Sequence, residues 1–356
     1  MLVVVSPWRR PVVLAAIALL VIGVTVAVVL AWASSAGDGT LLGVVEASAE
    51  TAPVPHGGDA ADDPAVRVDA TDAGRSTVIG TDKKGGLGVY DLRGRELQYL
   101  AGGNPNNVDV RDGFPLGGET VTLVAAGDRS TDTIAVWAVD EGTGRLREVA
   151  AGALELGIDV YGSCLHRSPA GRFSFFGTSE EGEVEQWELY DDGGRMAARR
   201  VRRFRLGSQT EGCVADDAHG ALYVSEESVG VWRYGTEPSD GDRRTRVDVA
   251  RRDRPLVPDV EGIALAEGPD GGGYLVVSSQ GDDSFAVYRR EGDNAYVGSF
   301  RVEEVESTDG LDVSTRPLGP RFPDGVLVVQ DGDNGDEHQN FKLVPWGDVV
   351  GLLPGP

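Results

Sequence analysis

The chain has 356 residues, 41% of them apolar and 50 of them glycine, and a formal net charge of −24 at neutral pH. That size and apolar share suffice for a sizeable core, while the acidic surplus excludes nucleic acid as a partner, because no basic excess exists to meet phosphates. The two cysteines, Cys164 and Cys213, exclude a disulfide framework and a thiolate metal site; one bridge in an oxidising compartment and two buried small side chains both remain open.

In chain order, Arg9 and Arg10 come first, ahead of an uncharged, largely apolar stretch from Pro11 to Ala33. It ends in Ala31-Trp32-Ala33, a small-x-small cleavage pattern, so residues 1–35 read as an export signal. The stretch is also long enough to cross a bilayer, so a cleaved signal and an uncleaved membrane anchor both fit. Either way the rest is expected outside the cytoplasm, secreted or tethered to the outer face of the membrane. Residues 36–48 read as a linker, and residues 49–350 as one domain.

A short phrase then recurs six times: an apolar strand, a polar turn and a second strand that often carries Tyr or Trp. The copies start at Thr77, Thr122, Phe173, Ala221, Tyr274 and Val326, at intervals of 45, 51, 48, 53 and 52 residues. No copy is apolar enough to fold alone, and strand-rich repeats of about 50 residues read as propeller blades of four strands. The expected fold is therefore all-β: a six-bladed propeller of four-stranded antiparallel blades around a central channel.

Before each phrase lies another strand, expected to be the innermost of its blade. Four of these open alike, with Tyr161, Glu211, Glu261 and Asp309 each preceding a glycine, at intervals of 50, 50 and 48. The first two blades open differently, at Asp62-Asp63 and at Asn106-Asn107. Equivalent positions face one axis, so Glu211, Glu261, Asp309 and one of Asp62 or Asp63 are expected to converge at the mouth of the channel. In an up-and-down blade, the turn between the second and third strands lies at the same end. Those turns carry Lys83-Lys84, Arg129, Glu180-Glu181, Glu226-Glu227, Gln280 with Asp282-Asp283, and Asp331 with Asp333.

Carboxylates crowded together raise one another's pKa unless a counter-charge is present. Calcium suits a mixture of carboxylate, carbonyl and water oxygens, whereas the four scattered histidines offer no pair at zinc or iron spacing. A solvated acidic rim is the bland alternative. Lys83, Lys84 and Arg129 on the same face weaken it, because basic groups beside bound cations suit an anionic ligand, phosphate above all. The segment DGDNGDEHQN from Asp331 suggests an EF-hand loop only superficially, since Gly335 comes one place early; a short calcium-binding turn fits better.

Nine phrases in order, DAADDPAVRV, IGTDKKGGLGVYDLRGRELQ, NNVDVRDGFPL, SQTEGCVADD, PDVEGIAL, SSQGDDSFAVY, TDGLDV, FPDGVLVVQDG and QNFKLVPW, resemble the β-propeller phytases over about residues 50 to 347. The resemblance implies a calcium-dependent enzyme that releases phosphate from myo-inositol hexakisphosphate (phytate), with one phosphate pocket at the calcium ions and another beside it. It implies calcium ligands at the catalytic site in Asp62, Glu211, Glu227, Asp259, Glu261 and Asp309, with Glu50 and Tyr161 matching further positions there. Lys83, Lys84 and Arg129, with Tyr161 and Gln280, look like the substrate-binding residues. Asp63, with the backbone carbonyls of Pro64 and Val108, looks like one structural calcium site; Asp331, Asp333 and Asn334 resemble another.

The chain departs from the family pattern at three places. Glu180 stands where a Lys is frequent, Arg67 replaces a Trp common in the first inner strand, and the loop before Asp309 is short and carries Glu303, Glu304 and Glu306. These put the second phosphate pocket and one calcium in doubt and leave the catalytic acids intact. The expectation is a monomeric phosphoric monoester hydrolase acting on phytate through a calcium-activated water, with no phosphoenzyme. A calcium-dependent propeller lactonase or esterase and a non-catalytic calcium-binding propeller are the rival readings.

Overall fold

The computed structural model describes residues 39–354. Each repeat forms one antiparallel sheet. Blade 1 holds β3 (Ala61–Arg67), β4 (Thr77–Asp82), β5 (Gly86–Asp91) and β6 (Glu96–Ala101). Blade 2 holds β7 (Pro105–Leu116), β8 (Glu119–Asp128), β9 (Thr133–Val139) and β10 (Leu146–Glu148). Blade 3 runs through β11 (Val160–Arg167), β12 (Phe173–Ser179), β13 (Glu183–Asp192) and β14 (Arg195–Arg205). Blade 4 runs through β15 (Thr210–Asp216), β16 (Ala221–Glu226), β17 (Gly230–Gly235) and β18 (Arg244–Val249). Blade 5 holds β19 (Val260–Glu267), β20 (Gly273–Ser279), β21 (Ser284–Arg289) and β22 (Tyr296–Val302). Blade 6 takes only β23 (Leu311–Ser314), β24 (Val326–Asp331) and β25 (Asn340–Pro345) from the C-terminal end.

The fourth strand of blade 6 is β2 (Ala49–Glu50), contributed by the beginning of the domain and paired antiparallel with β25. The first and last blades are thereby stitched through one sheet, which leaves the ring without a gap. The inner strands β3, β7, β11, β15, β19 and β23 touch their neighbours in a closed circuit. All six repeated phrases coincide with the second and third strands of their blades.

The N-terminal export or anchor segment lies outside the described residues. Within the stretch expected to be a linker, residues 41–45 form a strand, β1 (Leu41–Val45), which pairs parallel with β22 as a fifth strand of blade 5. Its apolar LLGVV sequence explains the departure: Val45 joins the core shared by blades 5 and 6, beside Trp346 and Val349 of the short helix α1 (Trp346–Leu352).

Apolar residues alternate along the strands, and the two faces of a blade pack on different neighbours. Phe175 joins the core between blades 2 and 3, whereas Phe176, next in the chain, joins the core between blades 3 and 4. Six such clusters fill the six seams. Fully burying one Phe side chain is worth about 1.5–3 kcal/mol, so the seams hold the ring together and fix where each inner strand begins. One seam is also covalent: a disulfide joins Cys164 of β11 to Cys213 of β15. Arg67, where the resemblance implies a Trp, is buried and ion-paired to Asp69 at 3.3 Å and to Glu141.

Candidate active site

The inner strands of blades 1 to 5 share one irregularity. Their pairing with the second strand shifts register between Ala61 and Pro64, Pro105 and Val108, Val160 and Ser163, Thr210 and Cys213, and Val260 and Ile263. Such a bulge releases residues from the ladder and re-aims their side chains. The first residues released are Asp62, Asn106, Tyr161, Glu211 and Glu261; Asp309 precedes β23 in blade 6.

The glycine that follows three of these has a steric cause. A Cβ on Gly162 would overlap the carbonyl oxygen of Glu211, and one on Gly212 would overlap that of Glu261. The amide of Gly262 donates to Asp309 O at 2.7 Å, and that of Gly310 donates to Asp62 O at 3.1 Å. Successive inner strands thus meet backbone to backbone at the pore, which draws their acidic side chains together.

Oxygen atoms of Glu211, Glu227 and Glu261 all lie within 4.8 Å of one another, and all three residues are buried. Glu227 comes from the turn after β16, as expected for the second ring of residues. Glu227 Oε1 and Glu261 Oε2 have no hydrogen-bond partner among the described residues. Burial, with the charges of Asp62, Glu261 and Asp309, pushes the Glu211 carboxyl well up. Burial also pushes Glu227 up to about 7, with Asp259 and Glu180 contributing. Glu261 is likewise raised, by burial and by Glu227, Asp309 and Asp62. Asp259 stands exposed at the rim, close enough to be felt by both glutamates.

Beside this group Lys83 holds three carboxylates, with Nζ 2.9 Å from Asp62, 2.8 Å from Asp309 and 2.8 Å from Asp59. Burial alone would lower the Lys83 pKa, but Asp62 and Asp309 outweigh it and keep the ammonium charged. Gln280 Nε2 donates to Asp309 Oδ1 at 2.6 Å. Asp309 is itself pushed up to about 7, by burial and by Asp62, against the pull of Lys83. Arg129 lies over the Tyr161 ring at 4.6 Å, donates to Asn106 Oδ1 at 3.1 Å and pairs with Glu180 at 3.3 Å. Burial and the nearby Glu211 and Glu227 raise the pKa of the Tyr161 phenol. Lys83, Lys84, Arg129, Asp59, Asn104 and Ser130 line one cleft of about 530 Å³.

The structure therefore brings together Asp62, Lys83, Arg129, Tyr161, Glu211, Glu227, Glu261, Gln280 and Asp309, with Lys84 on the exposed side of the cleft and Asp259 at the rim. Of the two candidate acids of blade 1, Asp62 joins them. Asp63 instead accepts from Val108 N at 3.1 Å and, with Pro64 and Val108, lines a channel cavity of about 270 Å³. Arg111 reaches into that cavity between Asp109 and Asp217.

Glu50 departs from expectation. It sits on β2, the outermost strand of blade 6, and binds Lys342 and Asn340 rather than the pore acids. The same Lys342 ammonium lies 3.3 Å from Asp331 Oδ2 and 3.0 Å from Asn334 Oδ1, while Asp333 is exposed. Glu50, Asp331 and Asn334 thus share one lysine ammonium at this turn. Residues missed in the sequence are Asn106, Asp59 and Lys342. For Asn106 a signal was present, because it occupies the same blade position as Glu211; a search for acids passes over a neutral amide.

Comparison with known proteins gives the family. The family model described as Phytase matches residues 10–354. The 3-phytase of Bacillus subtilis (strain 168) is 42% identical over 323 residues, covering 86% of this chain and 84% of that protein. Among solved structures, a protein from Lactobacillus plantarum aligns with a TM-score of 0.50 at 14% identity, over 76% of this chain and 77% of that one, and shares the fold. With a matching family model over nearly its whole length and a close curated relative, this chain belongs to the phytase family.

Proposed function

We propose that this phytase releases phosphate from phytate with calcium held by Glu211, Glu227 and Glu261, supported by Asp62, Asp259 and Asp309, and by direct transfer to water. The observation that carries the reading is the trio of buried glutamates with unpaired oxygens beside a cleft lined by Lys83, Lys84 and Arg129. The donor set is all oxygen and acidic, which fits calcium better than zinc or iron. Burial and mutual repulsion raise these carboxyl pKa values, and a bound cation would offset both. When bound, calcium supplies positive charge against the phosphate oxygens and eases proton loss from water.

The chain's own residues supply the rest. Arg129 and Lys83 offer directional and point-charge contacts to phosphate oxygens. The Tyr161 ring fixes the plane of the Arg129 guanidinium, and Gln280 orients Asp309. An acidic protein that binds a polyanion needs this arrangement, because metal and basic groups reverse the local sign. The Asp63 and Asp331 sites are proposed as structural, the second in competition with Lys342. The Cys164–Cys213 bridge supports an oxidising, extracytoplasmic location; secretion or membrane tethering, and a monomeric state, belong to the same proposal. Phosphate release from phytate, run beside a lactone panel with and without calcium, tests it. Calcium-dependent release with no lactone turnover supports the reading, and lactone turnover without phosphate release overturns it.

A further inference from the structure

Asn106 opens β7 at the blade position held elsewhere by Tyr161, Glu211 and Glu261, and it is fully buried. Its Nδ2 donates to Glu211 Oε1 at 3.0 Å and, less closely, to Asp62 Oδ1 at 3.4 Å and Asn107 Oδ1 at 3.3 Å. Its Oδ1 accepts from Arg129 Nη1 at 3.1 Å. Carboxylates only accept and a guanidinium only donates, so one orientation of this amide satisfies both ends. A single rigid plane therefore spans the carboxylate group and the cationic wall of the cleft.

We infer that Asn106 is a positioning residue, tying the carboxylates that would hold metal to the guanidinium that would hold phosphate. The inference rests on the phytase reading above. Arg129 is otherwise restrained by the Tyr161 ring and by Glu180, which is 56% exposed. An arginine gives up substantial rotamer freedom when it is fixed, and a buried acceptor fixes it before substrate arrives. At the other end, the amide holds one oxygen of Glu211. Metal occupancy and the placement of Arg129 are thereby coupled through one side chain.

Two variants separate the ends. Asn106→Leu, similar in size, keeps neither contact; hydrogen bonds to charged groups set the expected rise in phytate KM at about tenfold. Calcium binding by the EDTA-stripped protein, read calorimetrically, shifts in Asn106→Leu to a concentration higher by about threefold or more. Asn106→Asp keeps the acceptor for Arg129 but loses the donor and adds a charge. Its KM stays within about twofold of wild type while its calcium midpoint moves to lower concentration. If Asn106→Leu binds calcium and phytate as wild type does and loses only melting temperature, Asn106 is mere filling and the inference fails. If Asn106→Leu does not fold, Asn106→Ala, which also lacks both contacts and adds no charge, takes its place in both assays, and a calcium midpoint and phytate KM equal to wild type overturn the coupling. Wild type that binds no calcium sinks the calcium reading and with it the donor half of the inference; the acceptor half is still read from KM.

Discussion

Glu180 occupies the Arg129 guanidinium at 3.3 Å, where many relatives are expected to carry a lysine. In water, two unit charges at that distance attract by about 1.3 kcal/mol. Side-chain freedom and salt cut an exposed pair of this kind to about 0.5–1 kcal/mol. A phosphate that binds Arg129 displaces Glu180 and forfeits that attraction. Glu180→Lys removes the competitor and adds a cation; at about 6 Å in water, a phosphate dianion gains about 1.4 kcal/mol from it. The two effects total about 1.9–2.4 kcal/mol, which lowers phytate KM by about 25- to 60-fold. Glu180→Gln, which only removes the competitor, gains about two- to fivefold. Initial rates of phosphate release against phytate at fixed calcium give both values. Repeating them at about 50 and 300 mM salt checks that the gain shrinks with screening. A KM for Glu180→Lys equal to or above that of wild type at low salt would refute Glu180 as a competitor for the phosphate contact.

Reducing the Cys164–Cys213 bridge, or replacing both cysteines with alanine, frees two residues 49 apart in sequence and costs about 2–4 kcal/mol of stability on loop-closure grounds. Melting temperature with and without reductant measures it, and an unchanged value contradicts the bridge. The raised carboxyls also set a pH dependence. Glu227 and Asp309 move up to about 7 from ordinary values of 4.5 and 3.8, so the metal-free folded chain binds more protons than the unfolded chain between those limits. Their contribution is fully present below about pH 4 and is lost as pH rises through about 7, so in EDTA the melting temperature is higher at about pH 5 than at about pH 8. Calcium reverses the trend, because its ligands must be ionised. Calorimetry across that range tests both signs; a metal-free melting temperature that climbs steadily toward pH 8 would count against the cluster.

The ring was legible because its period is carried by local chemistry. Strand-turn-strand phrases such as TVIGTD with LGVYDL name the second and third strands of a blade wherever they occur. The convergence of Glu211, Glu261 and Asp309 was legible for the same reason, since equal blade positions must face one axis. What the glycines after Tyr161, Glu211 and Glu261 do became visible only with neighbouring backbones in place, because their constraint is a close approach between distant residues. Glu50 was misplaced because a short motif carries no record of its strand's distance from the channel. Strand β1 was missed because LLGVV stands outside the repeat and finds its partner, β22, about 250 residues later. Lys342 was read only as part of a strand phrase, because sequence alone does not show which side-chain cation reaches Asp331 and Asn334.

Calcium titration of the EDTA-stripped protein, following binding heat and phosphate release from phytate together, bears most directly on the central claim. Wild type is expected to bind calcium and regain release over one concentration range, while Glu211→Gln and Glu261→Gln, folded by circular dichroism, lose both by about a hundredfold, the upper end of what changing even a residue behind the ligands costs. Full activity of exhaustively chelated wild type, or wild-type calcium binding by either variant, would contradict it.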